Sequence, residues 1–118
     1  MLYKHYLNKS VKTTVQPKTK DELKKIIEDT IEEQGFNCDL NFIDTSKITD
    51  MSYLFSDSNF NGDISKWDVS NVKNMNEMFY YSIFNGDISK WNVSNVKDIH
   101  GMFYDSPLEG NEPDWYKD

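Results

Sequence analysis

The clearest pattern of apolar and polar positions lies at residues 20–34. Four apolar residues are spaced at i, i+3, i+4 and i+8: Leu23, Ile26, Ile27 and Ile31. This spacing places them on one face of an α-helix, and charged residues fill most other positions. Thr19 and Glu22 have the spacing of a capping box, and Gly35 suits the left-handed residue that follows a helix. The pattern therefore predicts a helix over 20–34.

Upstream of this helix, apolar and polar residues alternate at 2–7 and 11–15, which predicts two short strands. Downstream, the pattern recurs every 24 residues. Residues 60–83 and 84–107 agree at 17 of 24 positions, and 36–59 agrees with 60–83 at 8. A fixed period of this length is typical of stacked arrays, in which each unit completes its core against its neighbours.

The period also predicts the organisation of the chain. We expect an N-terminal segment and capping helix at 1–35. We expect an array at 36–118 that holds about three repeats and a partial fourth, marked by Gly110 and Trp115. An amphipathic helix next to such an array has an evident role, because it covers the open apolar end of the first repeat.

Within one repeat, Trp67 and Val69 are two apart, which is a strand period. The apolar residues of 72–79 are spaced at i, i+3, i+6 and i+7, which predicts a short helical turn, α or 3₁₀. One strand and one turn per 24 residues predict an α/β repeat fold. We therefore expect a short right-handed β-solenoid of leucine-rich-repeat type with 24-residue coils and an N-terminal capping helix.

Equivalent positions of the repeats predict the core and the turns. The expected apolar columns are Ile43, Trp67, Trp91 and Trp115; Leu40, Ile64 and Ile88; Phe55, Phe79 and Phe103; and Ile48, Val72 and Val96. A polar column contains Asp39, Asp63 and Asp87. Such ladders usually satisfy backbone groups in turns, and cation binding is the alternative.

Charge narrows the class of partner. The net charge is −7, and it is uneven: residues 1–35 hold 7 Lys and 6 acidic residues, whereas 36–118 hold 6 Lys and 14 acidic residues. Direct binding of nucleic acid needs clustered Lys and Arg, and the chain has no Arg at all. The acidic repeats can attract a basic protein partner, and the alternative is that their charge serves only solubility.

Other features bear on compartment and chemistry. No apolar run approaches the length of a membrane span, and the first residues lack the apolar stretch of a secretory signal. As written, the chain is expected in the cytoplasm; a trimmed precursor would place it at the cell surface. Cys38, at a position that holds Gly in the other repeats, is interpreted as a small packed side chain.

Catalytic groups are sparse. His5 and His100 are the histidines, and His100 occupies a repeat position held by Asn76 and Ser52. Two histidines and one cysteine do not form a metal-ligand pattern, and there is no glycine-rich phosphate loop. We therefore expect neither an enzyme nor a cofactor or metal.

A binding surface is the better candidate. Tyrosines follow the Phe of the turn in the second and third repeats, and exposed tyrosines are common interface anchors. The candidate partner-binding residues are Tyr80, Tyr81, Tyr104, Glu77, Asp57, Asp98, Asp105, Lys66 and Lys90. The alternative is that the tyrosines only cover the edges of the repeats. A thinly covered last edge after Trp115 leaves end-to-end homodimers open.

The repeat resembles a known family. The run DISKWDVSNVKNMNEMF at 63–79, its copy at 87–103 and DLNFIDTSKITDMSYLF at 39–55 are similar to the BspA-type, DUF285 repeats of bacteria, and PKTKDELKKII at 17–27 is similar to the helical lead-in common there. The family is grouped with leucine-rich repeats, and members are often described as surface antigens or adhesins. The resemblance implies a leucine-rich-repeat-like fold and a protein-binding role.

Two functions of different class follow. The first is a short member of the surface-antigen family that recognises a host or neighbouring protein. The second is a small acidic intracellular inhibitor, carried by a phage or mobile element, whose acidic face occupies the basic nucleic-acid site of a defence enzyme. Family resemblance favours the first, and small size with strong acidity favours the second.

Overall fold

The N-terminal helix forms as predicted. The computed structural model of the protein describes residues 15–117, and in this range helix α1 spans Lys20–Gln34. The Thr19 side chain accepts a hydrogen bond from the Glu22 amide at 3.2 Å. The Glu22 carboxylate accepts from the Lys18 amide at 2.7 Å, one residue before the expected partner. The helix ends at Gly35, whose amide donates to the Ile31 carbonyl and whose φ is 93°.

Helix α1 packs against the core through one face and is tied to the first repeat through a lysine. Leu23 and Ile27 are buried. The Lys20 ammonium donates to the carbonyl and the hydroxyl of Ser52, at 3.2 and 3.0 Å, and lies 3.5 Å from the Asp50 carboxylate. The apolar spacing read from the sequence therefore corresponds to the buried face, and Lys20 orients that face on repeat 1 (36–59).

The predicted β-solenoid of leucine-rich-repeat type is wrong. Among residues 15–117, α1 is the single helix and no residue lies in a β-strand. In this range β-type pairing is limited to isolated parallel bridges: Val15 with Ile43, Asp39 with Asp63, Asp50 with Asn74, and Asn74 with Asp98. The predicted strand at 67–69 is irregular backbone, and the predicted helical turn at 72–79 is a series of tight turns. The predicted strands at 2–7 and 11–15 lie outside the described residues, except for Val15, and so does His5.

The reason lies in how the backbone amides are shared between repeats. Alternate amides of residues 51–57 donate to carbonyls 23 residues later: Met51 to Asn74, Tyr53 to Asn76, Phe55 to Met78 and Asp57 to Tyr80. Of the intervening amides, those of Leu54 and Ser56 donate to the carbonyl three positions earlier, and that of Ser52 donates to the Asp50 side chain. Residues 75–81 repeat the arrangement against repeat 3 (84–107). Because half of the amides close turns, neither a strand ladder nor a helical run of bonds can continue.

Left-handed residues enforce these turns. Six of them have φ between 52° and 62° and recur at two positions of the repeat: Tyr53, Glu77 and Gly101; and Asp57, Tyr81 and Asp105. A left-handed residue reverses the local backbone, so it interrupts both helix and strand. Five of the six are not glycine, and the sequence therefore carries little warning of this conformation.

The predicted aromatic columns are confirmed. Phe79 stacks between Phe55 and Phe103 with centroid distances of 5.6 and 5.8 Å. Trp91 stacks between Trp67 and Trp115 at 6.5 and 6.4 Å. Each indole also donates to a carbonyl 27 residues earlier: Trp67 to Leu40, Trp91 to Ile64 and Trp115 to Ile88. The 24-residue period is thus a period of side-chain stacking and hydrogen bonding.

The polar columns close turns, which is the interpretation favoured by the sequence. The Oδ1 atoms of Asp39, Asp63 and Asp87 accept from the amides two residues on, at 2.8 to 2.9 Å. A second set of such turns is closed by Asp44, Asp68 and Asn92. These short side chains satisfy amides that would otherwise lack a partner in irregular backbone.

Candidate protein-binding surface

The predicted tyrosines come together because equivalent positions of the repeats lie side by side. The Tyr81 amide donates to the Tyr104 carbonyl at 2.9 Å, and the Asp57 amide donates to the Tyr80 carbonyl at 2.8 Å. Two adjacent rows result: Ser56, Tyr80 and Tyr104; and Asp57, Tyr81 and Asp105. Tyr81 therefore has an aspartate on either side of it, one from each neighbouring repeat.

The three tyrosine rings contact each other. Tyr80 and Tyr104 are stacked, with centroids 5.4 Å apart and planes inclined by 21°. Tyr81 stands nearly perpendicular to both, at 85° to Tyr80 and 88° to Tyr104, with centroid distances of 4.4 and 5.8 Å. Both are arrangements that aromatic pairs prefer. The rings thus hold each other in a defined cluster.

Much of this cluster faces solvent. Tyr81 is 45% exposed and Tyr104 is 51% exposed, whereas Tyr80 is half-buried beneath them. We call Tyr80, Tyr81 and Tyr104, together with Glu77, Asp57 and Asp105, the tyrosine surface. Exposed aromatic rings in mutual contact form an apolar patch, and patches with a polar rim mark interaction sites more often than isolated exposed residues do.

Glu77 lies at the inner margin of the tyrosine surface. A Cβ added to Gly101 would lie 3.2 Å from the Glu77 Cγ, so this side chain crosses towards repeat 3. Partial burial raises the pKa of Tyr80, and the Tyr81 hydroxyl and the negative charge of Glu77 raise it further. The charged form of the Tyr80 hydroxyl is therefore disfavoured in this cluster.

The other predicted residues lie elsewhere. Lys66 and Lys90 are exposed in the turns that follow Asp63 and Asp87, and their charges act on those carboxylates. Asp98 is exposed at the start of the third turn segment, where its carbonyl accepts from the Met75 amide. Within residues 15–117 no hydrogen bond or ion pair joins these three side chains to the tyrosines. The structure thus brings together six of the nine predicted residues.

Three large exposed hydrophobic residues were missed. Ile83 is 49% exposed, Tyr53 is 53% exposed and Phe36 is 47% exposed. Ile83 stands at a repeat position that holds Asn59 and Pro107, so an apolar residue at a non-apolar position was the available signal. Tyr53 shares its left-handed position with Glu77 and Gly101, a set with no common chemistry from which exposure could be deduced.

Three further features of residues 15–117 concern metal ligands, the cysteine and membrane spans. No group of three or more His, Cys, Asp or Glu side chains there is placed to hold a metal ion. Burial raises the pKa of the Cys38 thiol, which suits a packed side chain. Over residues 15–117, no helix is long and apolar enough to cross a membrane.

The repeats of this chain also match a known protein family. The model of a family described as "Mycoplasma protein of unknown function, DUF285" matches residues 22–115. The chain belongs to the DUF285 family. The match covers most of helix α1, all three repeats and the column that ends at Trp115. No curated protein and no solved structure matches the chain.

Proposed function

We propose that this DUF285 chain is a non-enzymatic protein-binding module that engages its partner through the tyrosine surface. The observation that carries the proposal is the cluster of three contacting tyrosine rings, two of them about half exposed, with carboxylates around it. Tyrosines offer large apolar area at low entropic cost and a hydroxyl for hydrogen bonding, and interface hot spots are enriched in them.

The repeated architecture supports the same function. The 24-residue units stack into one core, and apart from Met75 the sequence differences between repeats 2 and 3 lie at exposed or half-buried positions. Repeat 1 carries Ser56 and Asp57 where repeat 2 carries Tyr80 and Tyr81. Substituting surface positions on a constant core is an economical way to make a specific binding face. The surface-antigen role implied by the family resemblance is one form of this function.

The excess of acidic residues favours a second candidate. Residues 36–118 carry 14 acidic residues against 6 lysines. A surface of that charge is complementary to a protein that binds nucleic acid. In this case the module is a small acidic inhibitor, of phage or mobile-element origin, that occupies a basic site on a defence enzyme inside the cell.

A comparative pull-down tests both forms of the function. The tagged chain is used with separate cytosolic and envelope or host-matrix extracts, and bound proteins are identified by mass spectrometry. The variant Tyr81→Asp, Tyr104→Ser places repeat 1 residues at both positions and should lose the specific partner. The matched control Lys66→Ala, Lys90→Ala should keep it.

The result also separates the two candidates. A matrix or envelope protein favours the surface role. A basic nucleic-acid enzyme, released in about 0.5 M salt because the screening length falls to a few ångströms, favours the inhibitor. If every captured protein is retained equally by the tyrosine variant, the tyrosine surface is not the binding site and the proposal is wrong.

A further inference from the structure

We propose that the outer face of Tyr104 is a subsite for an arginine side chain of the partner, with its guanidinium held by Glu109 and Asp105. The inference rests on the proposed function and specifies the chemistry that the tyrosine surface recognises. Its structural basis is the stacking of Tyr104 on Tyr80 of the preceding repeat.

Tyr104 is stacked on one side and exposed elsewhere. Tyr80 covers the face towards repeat 2, at 5.4 Å and 21°. Across residues 15–117 the rings that contact Tyr104 are those of Tyr80 and Tyr81, and Tyr104 is 51% exposed.

The carboxylate of Glu109 lies close to the backbone that follows Tyr104. In the two earlier repeats, the residue after the tyrosine position donates its amide to the carbonyl of the next ring residue: Asp57 to Tyr80, and Tyr81 to Tyr104. At Asp105 the acceptor is instead the Glu109 Oε1 atom, at 3.1 Å. The Glu109 carboxylate therefore takes the place that the carbonyl of the next ring residue has in the two earlier repeats.

This arrangement fits a guanidinium group. A planar cation stacks on the electron-rich face of a tyrosine ring, and its N–H groups point outward in the plane of the stack. The Glu109 carboxylate uses one oxygen for the Asp105 amide and has further acceptor capacity. The Asp105 carboxylate is exposed next to it. One arginine could thus stack on Tyr104 and donate to both carboxylates.

Charge complementarity favours this occupant over an apolar side chain. The repeats are acidic, and Asp105, Glu109 and Glu112 surround the C-terminal edge, where Glu112 accepts from the Gly110 amide. An apolar side chain on Tyr104 would bring no positive charge to complement these carboxylates. Arginine also suits the site better than lysine, because its planar group can stack and bond in two directions together.

The test uses the full chain, isotope-labelled, and a blocked Gly-Arg-Gly tripeptide in an NMR titration. The citrulline tripeptide, which keeps the planar group without its charge, is the matched probe. We expect arginine-dependent shifts at the Tyr104 ring and the Asp105 amide, and shifts at least about threefold smaller with citrulline. Tyr104→Ser should weaken the response by about threefold or more, and the equally exposed Tyr53→Ser should leave it unchanged.

A second variant keeps the test clear of folding effects. Glu109→Gln keeps an oxygen for the Asp105 amide and removes the charge, so the backbone should be retained while arginine binding weakens. Equal responses to both tripeptides, or a response unaffected by Glu109→Gln and Tyr104→Ser, would overturn the subsite. If the pull-down still depends on the tyrosines, the protein-binding function stands without it; loss of both results ends both proposals.

Discussion

At the scale of single residues, the fold depends on positions where side chains are absent or conformation is unusual. Gly62 is the sharpest case. A Cβ at this position would overlap the Cys38 carbonyl oxygen and lie 2.7 Å from the Phe60 ring. The neighbouring Asp63 amide donates to that same Cys38 carbonyl at 3.2 Å. Glycine is needed here because the backbones of repeats 1 and 2 approach each other too closely for any side chain.

We therefore expect Gly62→Ala to destabilise the protein strongly, by about 3 kcal/mol, because the obstacle is backbone rather than a flexible side chain. Cys38→Ala, at the equivalent position of repeat 1, is the matched control and should cost about 1 kcal/mol. Chemical denaturation followed by tryptophan fluorescence measures both. Equal losses for the two variants would mean that the close approach does not constrain the fold.

At the scale of elements, the structure uses tight turns in place of strands. The Asp87 carboxylate accepts from the hydroxyl and the amide of Ser89, and these bonds hold its pKa below the usual value. Asp63 has the same bonds from Ser65, with the amide as the largest cause of its lowered pKa. Repeat 3 contains a natural variation on such a turn, since Asn92 closes it where repeat 2 uses Asp68.

These lowered pKa values predict acid sensitivity. A carboxyl with a lower pKa in the folded state contributes stability that is present above the unfolded pKa of about 3.9 and is lost as the pH falls through the folded pKa. The double variant Asp63→Asn, Asp87→Asn keeps an oxygen for each turn and removes this linkage. Its thermal midpoint should be lower than that of the wild type at pH 7, and the difference should shrink below about pH 4, where the wild type loses the same contribution. Parallel pH profiles of the two proteins would contradict the prediction.

The turn segments also show why the helical turn at 72–79 was wrongly predicted. Apolar residues spaced at i, i+3, i+6 and i+7 satisfy a helical period, and helix α1 was correctly predicted from such spacing. In 72–79 the same spacing serves successive turns, because the Met75, Glu77 and Phe79 amides donate to repeat 3. Side-chain periodicity reports which residues face the core. It does not report where backbone amides find their acceptors.

At the scale of the whole molecule, stability depends on columns that run through all repeats. The described residues have a radius of gyration of 13.7 Å and extents of 41 × 25 × 22 Å. Helix α1 covers repeat 1, and Trp115 and Tyr116 pack against Phe103 at the other end. In such an array each repeat is stabilised mainly by its neighbours, so interior positions of a column matter more than terminal ones.

The tryptophan column tests this dependence. Trp91 is buried between two indoles and donates to the Ile64 carbonyl, so Trp91→Ala should cost about 3–5 kcal/mol, a large share of the stability of a small domain. Trp115 is half-buried at the end of the column, and Trp115→Ala should cost clearly less. Urea denaturation compares them. An unchanged midpoint for Trp91→Ala would exclude the column from the core.

The candidate surface shows the same division between prediction and structure. The tyrosines and their acidic neighbours could be named from the sequence, because the repeat alignment exposes positions that differ between copies. The separation of Lys66 and Lys90 from them, and the use of Glu109 as acceptor for the Asp105 amide, depend on which turns lie next to each other in space. The sequence alignment of the repeats does not contain that information.

Taken by itself, the amino-acid sequence determined helix α1 and its caps, the 24-residue register, the buried columns and the membership of DUF285 that follows from the repeat. These are properties of side-chain identity and spacing, which local rules and burial govern. Only the tertiary structure decided that the repeats form bridged turns rather than strands. Backbone hydrogen bonding between repeats and left-handed residues such as Tyr53 and Tyr81 are settled by packing, because the neighbouring repeat supplies the acceptors that make those conformations stable.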